Sequence, residues 1–446
     1  MMKRYSICIV GGGSRYTPDM LAMLCNQKER FPLKRIVLYD IEKERQEAVG
    51  RYAEILFKEY YPELEEVVYT TDKETAFRDL DFALMQIRVG RLGMRELDEK
   101  ISIRHGCVGQ ETCGAGGFAY GLRSIPAIIE LVKEIRACSP ECWILNYSNP
   151  AAIVAEATKR VFPDDKRIIN ICDMPIAIMD MYAEVLGKKR RDLEPKYFGL
   201  NHFGWFTHIY DKETGEDYLP RLKEILKTPV DVSTEPLFEE PSWKATFQFM
   251  SRMISDYDEY LPNTYLQYYL YPRKMLAKQN ADYTRANEVM DGNEKETYER
   301  LHQIIALGKI KGTEYELTAE VGCHAEYIVD LATALANNTK EIFLIITENK
   351  GTVENIDRNM MVEVPCLVGC NGVEPLTVGA VPGFYKGMME QQYAYEKLTV
   401  DACLEGSKKK AMQALVLNRT VVNTDVAVAL LDDLMEVNRE YWYEMR

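Results

Sequence analysis

The order of elements in this chain predicts an α/β fold, a doubly wound parallel sheet followed by a mixed α+β part. Three observations carry that prediction. Short β-rich apolar runs alternate with helical patterns over residues 1–175. Most of those runs are continuously apolar rather than alternating, as in parallel strands buried on both faces. A glycine-rich turn follows the first run directly.

The strands expected in the first part are "YSICIV" (5–10), "RIVLYD" (35–40), "VVYTT" (67–71), "FALMQI" (82–87), "CWILNY" (142–147) and "RIINIC" (167–172). Helical stretches such as "DMLAMLCNQKER" and "IPAIIELVKEIRA" lie between them, which gives the βαβα order of a Rossmann-like sheet. The character changes after residue 195. "KYFGLNHFGWFTHIY", "EIFLIITEN" and "MVEVPCLVG" read as strands of an antiparallel portion, with helices around them and a helical C-terminal stretch from about 407 to 438. The expected division is therefore 1–195 and 196–446, with no repeat and no low-complexity linker between the two halves, which are expected to form one compact body.

Composition narrows the function classes. Hydrophobic residues make up 47% and charged residues 28% of 446 residues, the profile of a soluble globular protein of two or three domains. No apolar run approaches the roughly 18 residues that a membrane span needs. The formal net charge is −14 with no long basic tract, so neither nucleic acid nor an anionic membrane is an expected partner. Eleven scattered cysteines without a CxxC pair argue against a disulfide framework and for a reducing compartment; the expected location is the cytoplasm.

The turn "GGGSRYTPDM" supplies Gly11, Gly12, Gly13, Ser14 and Arg15 between a strand and a helix start at Thr17–Pro18. Glycines there let backbone approach a pyrophosphate, which the helix N-terminus favours. Asp40 ends the second strand, where an acid suits the ribose hydroxyls of NAD. The strict G-x-G-x-x-G pattern is broken by Tyr16, and Asp40 lies beyond the roughly 20-residue spacing usual for it. A plain strand-to-helix turn is the structural alternative.

"RIINICDMPIA" poses the chemical question, because an apolar strand ends by presenting Cys172 and Asp173 side by side. In open α/β sheets ligands collect beyond the carboxyl ends of the strands. Asn149 follows another strand, Glu111 lies in "GQETCGAGG", and His202 lies in "GLNHFGW". A thiolate and an imidazole can share one divalent ion and leave positions for substrate oxygens. Spacing alone equally allows Cys172 as a packed thiol, His202 as a structural histidine and Asp173 as a helix cap.

Taken together, "GGGSRYTP", "GQETCGAGG", "NYSNPA", "ICDMP" and "GLNHFGW" resemble glycoside hydrolase family 4, over most of the chain. "CDMP" is similar to the version in the family's 6-phospho-α-glucosidases, whereas its β-specific members more often place asparagine after the cysteine. The resemblance implies a fold like that of the lactate/malate dehydrogenase superfamily. It makes 1–195 the NAD-binding part and 196–446 the part for substrate, metal and oligomer contacts. It implies NAD and Mn²⁺, or another divalent metal, as cofactors, with Cys172 and His202 as metal ligands. Asp173 would protonate the leaving oxygen, Tyr265 would remove the C2 proton, and Arg95, Asn149 and Arg285 would hold the phosphorylated sugar. Glu111 matches a further acid in the site, either supporting it or itself the general acid.

The implied reaction oxidises C3 of the sugar onto NAD⁺, which acidifies the C2 proton. The glycosidic bond then breaks by elimination, water adds, and the hydride returns, so net chemistry is hydrolysis by a route other than the usual two-carboxylate one. The substrate would be a 6-phospho-α-glucoside such as maltose 6′-phosphate, and the assembly a homodimer or homotetramer. Two alternatives remain within this reading: a β-linked phosphoglucoside or an unphosphorylated α-glycoside as substrate. From a different class, a 2-hydroxy acid dehydrogenase shares the domain order but needs no metal.

Overall fold

The computed structural model describes residues 3–230, 241–317, 323–421 and 423–446. Its main sheet is built on β1 (Tyr5–Val10), β2 (Leu33–Tyr39), β3 (Glu66–Thr70), β4 (Phe82–Met85), β5 (Trp143–Asn146) and β6 (Ile168–Asn170). These six pair in parallel in the spatial order β3-β2-β1-β4-β5-β6. That order is a dinucleotide-binding arrangement whose direction reverses beside β1.

Alternation within the central strands explains why their sequences are apolar throughout. Ile7 and Ile9 of β1 enter one core cluster, together with Leu84 of β4 and Leu145 of β5. Cys8 and Val10, with Ala83, Met85 and Ile144, enter the cluster on the opposite face. Helices cover both faces, and each such side chain removed from water contributes about 2 kcal/mol.

The chain's second half does not build a wholly separate sheet. A hairpin of β7 (Leu193–Leu200) and β8 (Phe203–Asp211) pairs with the short β9 (Leu261–Pro262) in a three-stranded antiparallel sheet. The antiparallel strands β10 (Glu341–Glu348), β11 (Met361–Gly369) and β12 (Gly372–Pro375) instead extend the main sheet beyond β6. The contact runs through Ile346 and Asn170, so the edge that β6 would otherwise expose is covered. The boundary expected between residues 195 and 196 falls inside β7 rather than in a linker. The carboxyl ends of strands also differ from expectation, by one residue at β2, β3 and β5 and by two at β4 and β6. β4 stops at Met85 and β6 at Asn170, so Gln86–Ile87 and Ile171–Cys172 leave the ladder.

The long helix Ala115–Cys138 links this sheet to the C-terminal helices Gly383–Glu405, Lys408–Leu417 and Thr424–Val437. Phe118, Leu122 and Ile125 pack there against Val400, Leu415 and Leu430. At its start the glycines of "GQETCGAGG" permit a close approach: a Cβ on Gly117 would lie 2.3 Å from the carbonyl oxygen of Thr112. Among the described residues no helix is long and apolar enough to cross a membrane.

Because the atom met at Gly117 is backbone and cannot swing aside, Gly117→Ala is expected to destabilise the protein by about 1–3 kcal/mol, read by urea unfolding.

Candidate functional site

The segments that follow β1, β4, β5 and β6 converge at the carboxyl edge of the sheet, and the β7–β8 hairpin closes the side of the cleft they form. The cleft encloses about 1040 Å³ including its open mouth. Ser14, Glu111, Asn149, Cys172, Asp173, His202 and Tyr265 all line it. Residues far apart in sequence thus meet because most of them follow a strand, while Glu111 enters from the loop between the helices Arg91–Arg104 and Ala115–Cys138.

Local sequence explains the placement of His202. It occupies the turn between Leu200 and Phe203 with φ of +61°, a left-handed conformation that histidine tolerates better than bulkier residues. Gly204 lies opposite Gly199 in the hairpin register, and a Cβ on Gly204 would meet the Tyr197 hydroxyl at 2.2 Å. The imidazole is buried, with Nε2 3.2 Å from Cys172 Sγ and Nδ1 3.1 Å from Thr112 Oγ1. Burial lowers its pKa to about 4 against the opposing pull of Asp173 and Glu111, so the ring is neutral and keeps a lone pair.

Cys172 is buried beside it, and the Met174 N–H donates to its sulfur at 3.5 Å. Burial, reinforced by the charges of Asp173 and Glu363, pushes the thiol well above its ordinary value. A thiolate at this position therefore needs added positive charge. Asp173 stands at the N-cap position of the helix Met174–Leu186, yet its side chain makes no capping hydrogen bond and lines the cleft instead. The cap alternative therefore does not describe what this carboxylate does.

Glu111 is a fixed anion. It pairs with Arg88 at 2.6 Å and with Arg95 at 3.1 Å. Burial alone would raise its pKa, but these two guanidinium groups outweigh that cost and hold the carboxyl at about 2. Arg95 sits behind Glu111, also paired with Glu99 at 2.7 Å. Arg285 opens the helix Arg285–Val289 and pairs with Glu288 at 2.9 Å; burial lowers its pKa and the Arg95 charge adds to that. Neither Arg95 nor Arg285 lines the cleft wall, whereas Arg88 does. The Tyr265 ring lies 4.5 Å from the His202 ring, centroid to centroid. Burial, with Glu111 among the added negative charges, raises its phenol well above 10.

The glycine turn has the form a dinucleotide needs. The N–H groups of Gly11 and Gly12 both donate to Tyr39 O at 2.8 Å. A Cβ on Gly12 would come within 2.8 Å of Leu38 Cβ, and one on Gly13 within 2.9 Å of Asp40 Oδ2. Asp40 accepts from Gly13 N at 2.8 Å and Glu42 N at 2.9 Å, so it braces the turn it was expected to serve. Arg15 stacks on the Tyr16 ring. Gln86 Oε1, at the end of β4, is buried without a partner and faces the same cleft.

The donor set also suits a metal ion. Among the described residues no three His, Cys, Asp or Glu side chains cluster as a metal cage. The Cys172–His202 pair is instead an open site, with the unpartnered buried Asn149 Oδ1 on the same wall. Soft sulfur, neutral imidazole and free positions fit a substrate-binding divalent ion rather than a closed structural one.

The family 4 glycosyl hydrolase model matches residues 6–188, and the model of that family's C-terminal domain matches residues 197–421. The chain belongs to glycosyl hydrolase family 4. A phospho-α-glucosidase, PagL, of Clostridium acetobutylicum is 80% identical over 444 residues, covering 100% of both chains. The crystal structure of a 6-phospho-α-glucosidase from gut microorganisms in complex with NAD and Mn²⁺ is 47% identical, covers 100% of both chains and superimposes with a TM-score of 0.95. Another, in complex with NAD and glucose-6-phosphate, is 42% identical with a TM-score of 0.94 and the same full coverage. Membership of family 4 removes the 2-hydroxy acid dehydrogenase alternative.

Sequence reasoning did not find Arg88, Gln110, Thr112, Trp243 or Glu363. Gln110 and Thr112 lie inside the motif singled out for Glu111. Glu363 had one signal, an acid within the apolar run of β11; it is fully buried, bonded by Tyr197 Oη and Asn201 Nδ2 at 3.1 Å each, and burial raises it to about 8. Arg88 and Trp243 had none. His105, which belongs to none of these motifs, pairs with Asp433 at 2.7 Å.

Glu111→Gln is expected to cost about 3 kcal/mol at pH 7, because it strands two buried guanidinium groups. A lowered carboxyl stabilises above its unfolded pKa near 4.3 and ceases to do so as pH falls towards about 2. The gap between wild type and variant in urea unfolding should therefore be smaller at pH 3 than at pH 7.

Proposed function

We propose that the chain is a 6-phospho-α-glucosidase that works with NAD and a divalent metal such as Mn²⁺, acting on phosphorylated disaccharides of the maltose 6′-phosphate kind. The observation that carries this reading is the convergence of Cys172, His202, Asp173, Asn149 and Tyr265 on one cleft whose rim is the glycine turn. The curated relatives near 48% identity over essentially the whole chain are maltose-6′-phosphate glucosidases, while a 6-phospho-β-glucosidase stands at 32%. That ordering, with "CDMP", favours the α-linkage over the β-linkage. The same reading includes a homodimer or homotetramer in the cytoplasm, without a nucleic-acid or membrane partner.

When bound, the dinucleotide and the metal supply a reversible hydride acceptor and a Lewis acid. The chain's residues do the rest. Cys172 and His202 would hold the ion, which would act there as the Lewis acid for the sugar's oxygens. Tyr265 stands against His202 as the base for the C2 proton, and the ion's charge offsets the burial and the nearby anions that make the phenol reluctant to ionise. Asp173, on the cleft wall, is the group placed to give the leaving oxygen its proton. Glu111, held at about 2, has no proton to lend at neutral pH, so it supports the site as an anion between Arg88 and Arg95. Asn149, on the cleft wall beside Arg88, is placed to bind the phosphorylated sugar, and Arg95 and Arg285, set behind the wall, add positive charge that favours its phosphate.

Hydrolysis of an aryl α-glucoside 6-phosphate, with the β-anomer alongside, tests the reading. Aglycone release should require both NAD⁺ and Mn²⁺ and favour the α-anomer, and the product formed in D₂O should carry deuterium at C2. Turnover without either cofactor, or product without deuterium, would sink it. Tyr265→Phe should lower kcat by about 10²–10⁴-fold. Asp173→Ala should lose far more activity on an alkyl glucoside phosphate than on a nitrophenyl one, and equal losses would rule Asp173 out as the acid.

A further inference from the structure

His202 has two ring nitrogens, and only a deprotonated one can bind a metal. The groups behind the ring determine which it is. Gln110 Oε1 lies 2.6 Å from the backbone N–H of Thr112 and 2.6 Å from that of Cys113, so both donate to it and it must be the amide oxygen. Thr112 Oγ1 lies 3.1 Å from that oxygen, which has no proton to offer. The single hydroxyl proton of Thr112 is thereby committed to Gln110. The other contacts of Thr112 Oγ1 are a weak one to Cys113 Sγ at 3.8 Å and the one to His202 Nδ1 at 3.1 Å. Towards the imidazole the hydroxyl presents a lone pair, so Nδ1 carries the proton and donates. Nε2 is left with its lone pair, 3.2 Å from Cys172 Sγ.

We propose that Gln110 and Thr112 are positioning residues that lock His202 in the Nδ1–H tautomer, so that Nε2 is ready to bind the divalent ion. The proposal rests on the reading of Cys172 and His202 as metal ligands and adds the relay that prepares one of them. Gln110 and Thr112 are both buried, and the lack of a side chain at Gly117 leaves the room that the Thr112 carbonyl occupies. Orientation of a ligating histidine through its distal N–H is commonly worth 10–100-fold in metal affinity.

The test uses the full chain, metal-free, labelled with ¹⁵N-histidine, with His202→Asn to assign the ring signals. Long-range ¹H–¹⁵N spectra should show His202 protonated at Nδ1 in the wild type and partly or wholly at Nε2 in Thr112→Val. Mn²⁺ affinity, read from the electron paramagnetic resonance of free Mn²⁺, should fall about 10–100-fold in Thr112→Val and Gln110→Leu, and Thr112→Ser should restore it to within about threefold. A wild-type His202 protonated at Nε2 overturns the proposal. So does a Thr112→Val protein with an unchanged tautomer and affinity. If the wild type binds no Mn²⁺, the metal-dependent reading fails separately, while the metal-free wild-type spectrum still decides the tautomer, even if Thr112→Val does not fold.

Discussion

Buried charge has to be paired, and that requirement organises this protein around its cleft. Arg88, Arg95, Glu99 and Glu111 form a largely water-excluded chain of ion pairs, in which each carboxylate answers more than one donor. Glu99 also accepts from the Ala286 N–H at 2.9 Å, which ties the helix Arg91–Arg104 to the start of the helix Arg285–Val289 in the second half of the chain. An unpaired guanidinium or carboxylate here would cost several kcal/mol, so these elements can adopt only relative positions that satisfy every member. The cleft inherits that rigidity. Beside it lies an anion between two cations, held in place before any ligand enters.

A second buried pair braces the far side of the same helices. Arg123 bonds Asp98 at 3.0 Å and Asn438 at 2.6 Å, which joins the helices Arg91–Arg104 and Ala115–Cys138 to the residue that follows the last helix. Burial raises Asp98 to about 6 in spite of its partner, a measure of how thoroughly water is excluded there. The glycines at 114, 116 and 117 let the long helix close on the preceding loop, so one motif serves both packing and chemistry.

The ionisation states within the cleft follow from the same exclusion of water. Cys172 and Tyr265 are both held in their protonated forms by burial, and His202 is held neutral. The protonated thiol and phenol are poor nucleophiles that nearby positive charge would activate, whereas the neutral imidazole already carries an available lone pair. Asp173, next to Cys172, is only partly buried, and its side chain makes no capping hydrogen bond to the helix that it precedes.

The sequence by itself determined the parallel sheet and its dinucleotide turn, because continuous apolar runs buried on both faces and a glycine loop after the first strand are local signals. It also determined which residues are candidates for the cleft, since Cys172, Asp173 and Asn149 stand just past strand ends, where open α/β sheets gather ligands. It did not show that β10–β12 extend the first sheet, because strand pairing across such separations leaves no periodic trace. Nor did it show that Arg88 rather than Arg95 lines the wall, or that Glu111 is pinned as an anion, since both depend on distances between loops that are remote in the chain. The surroundings of Cys172 likewise belonged to tertiary structure: the turn of the β7–β8 hairpin brings His202 Nε2 to that sulfur, and Thr112, from a loop remote in the chain, reaches its other nitrogen.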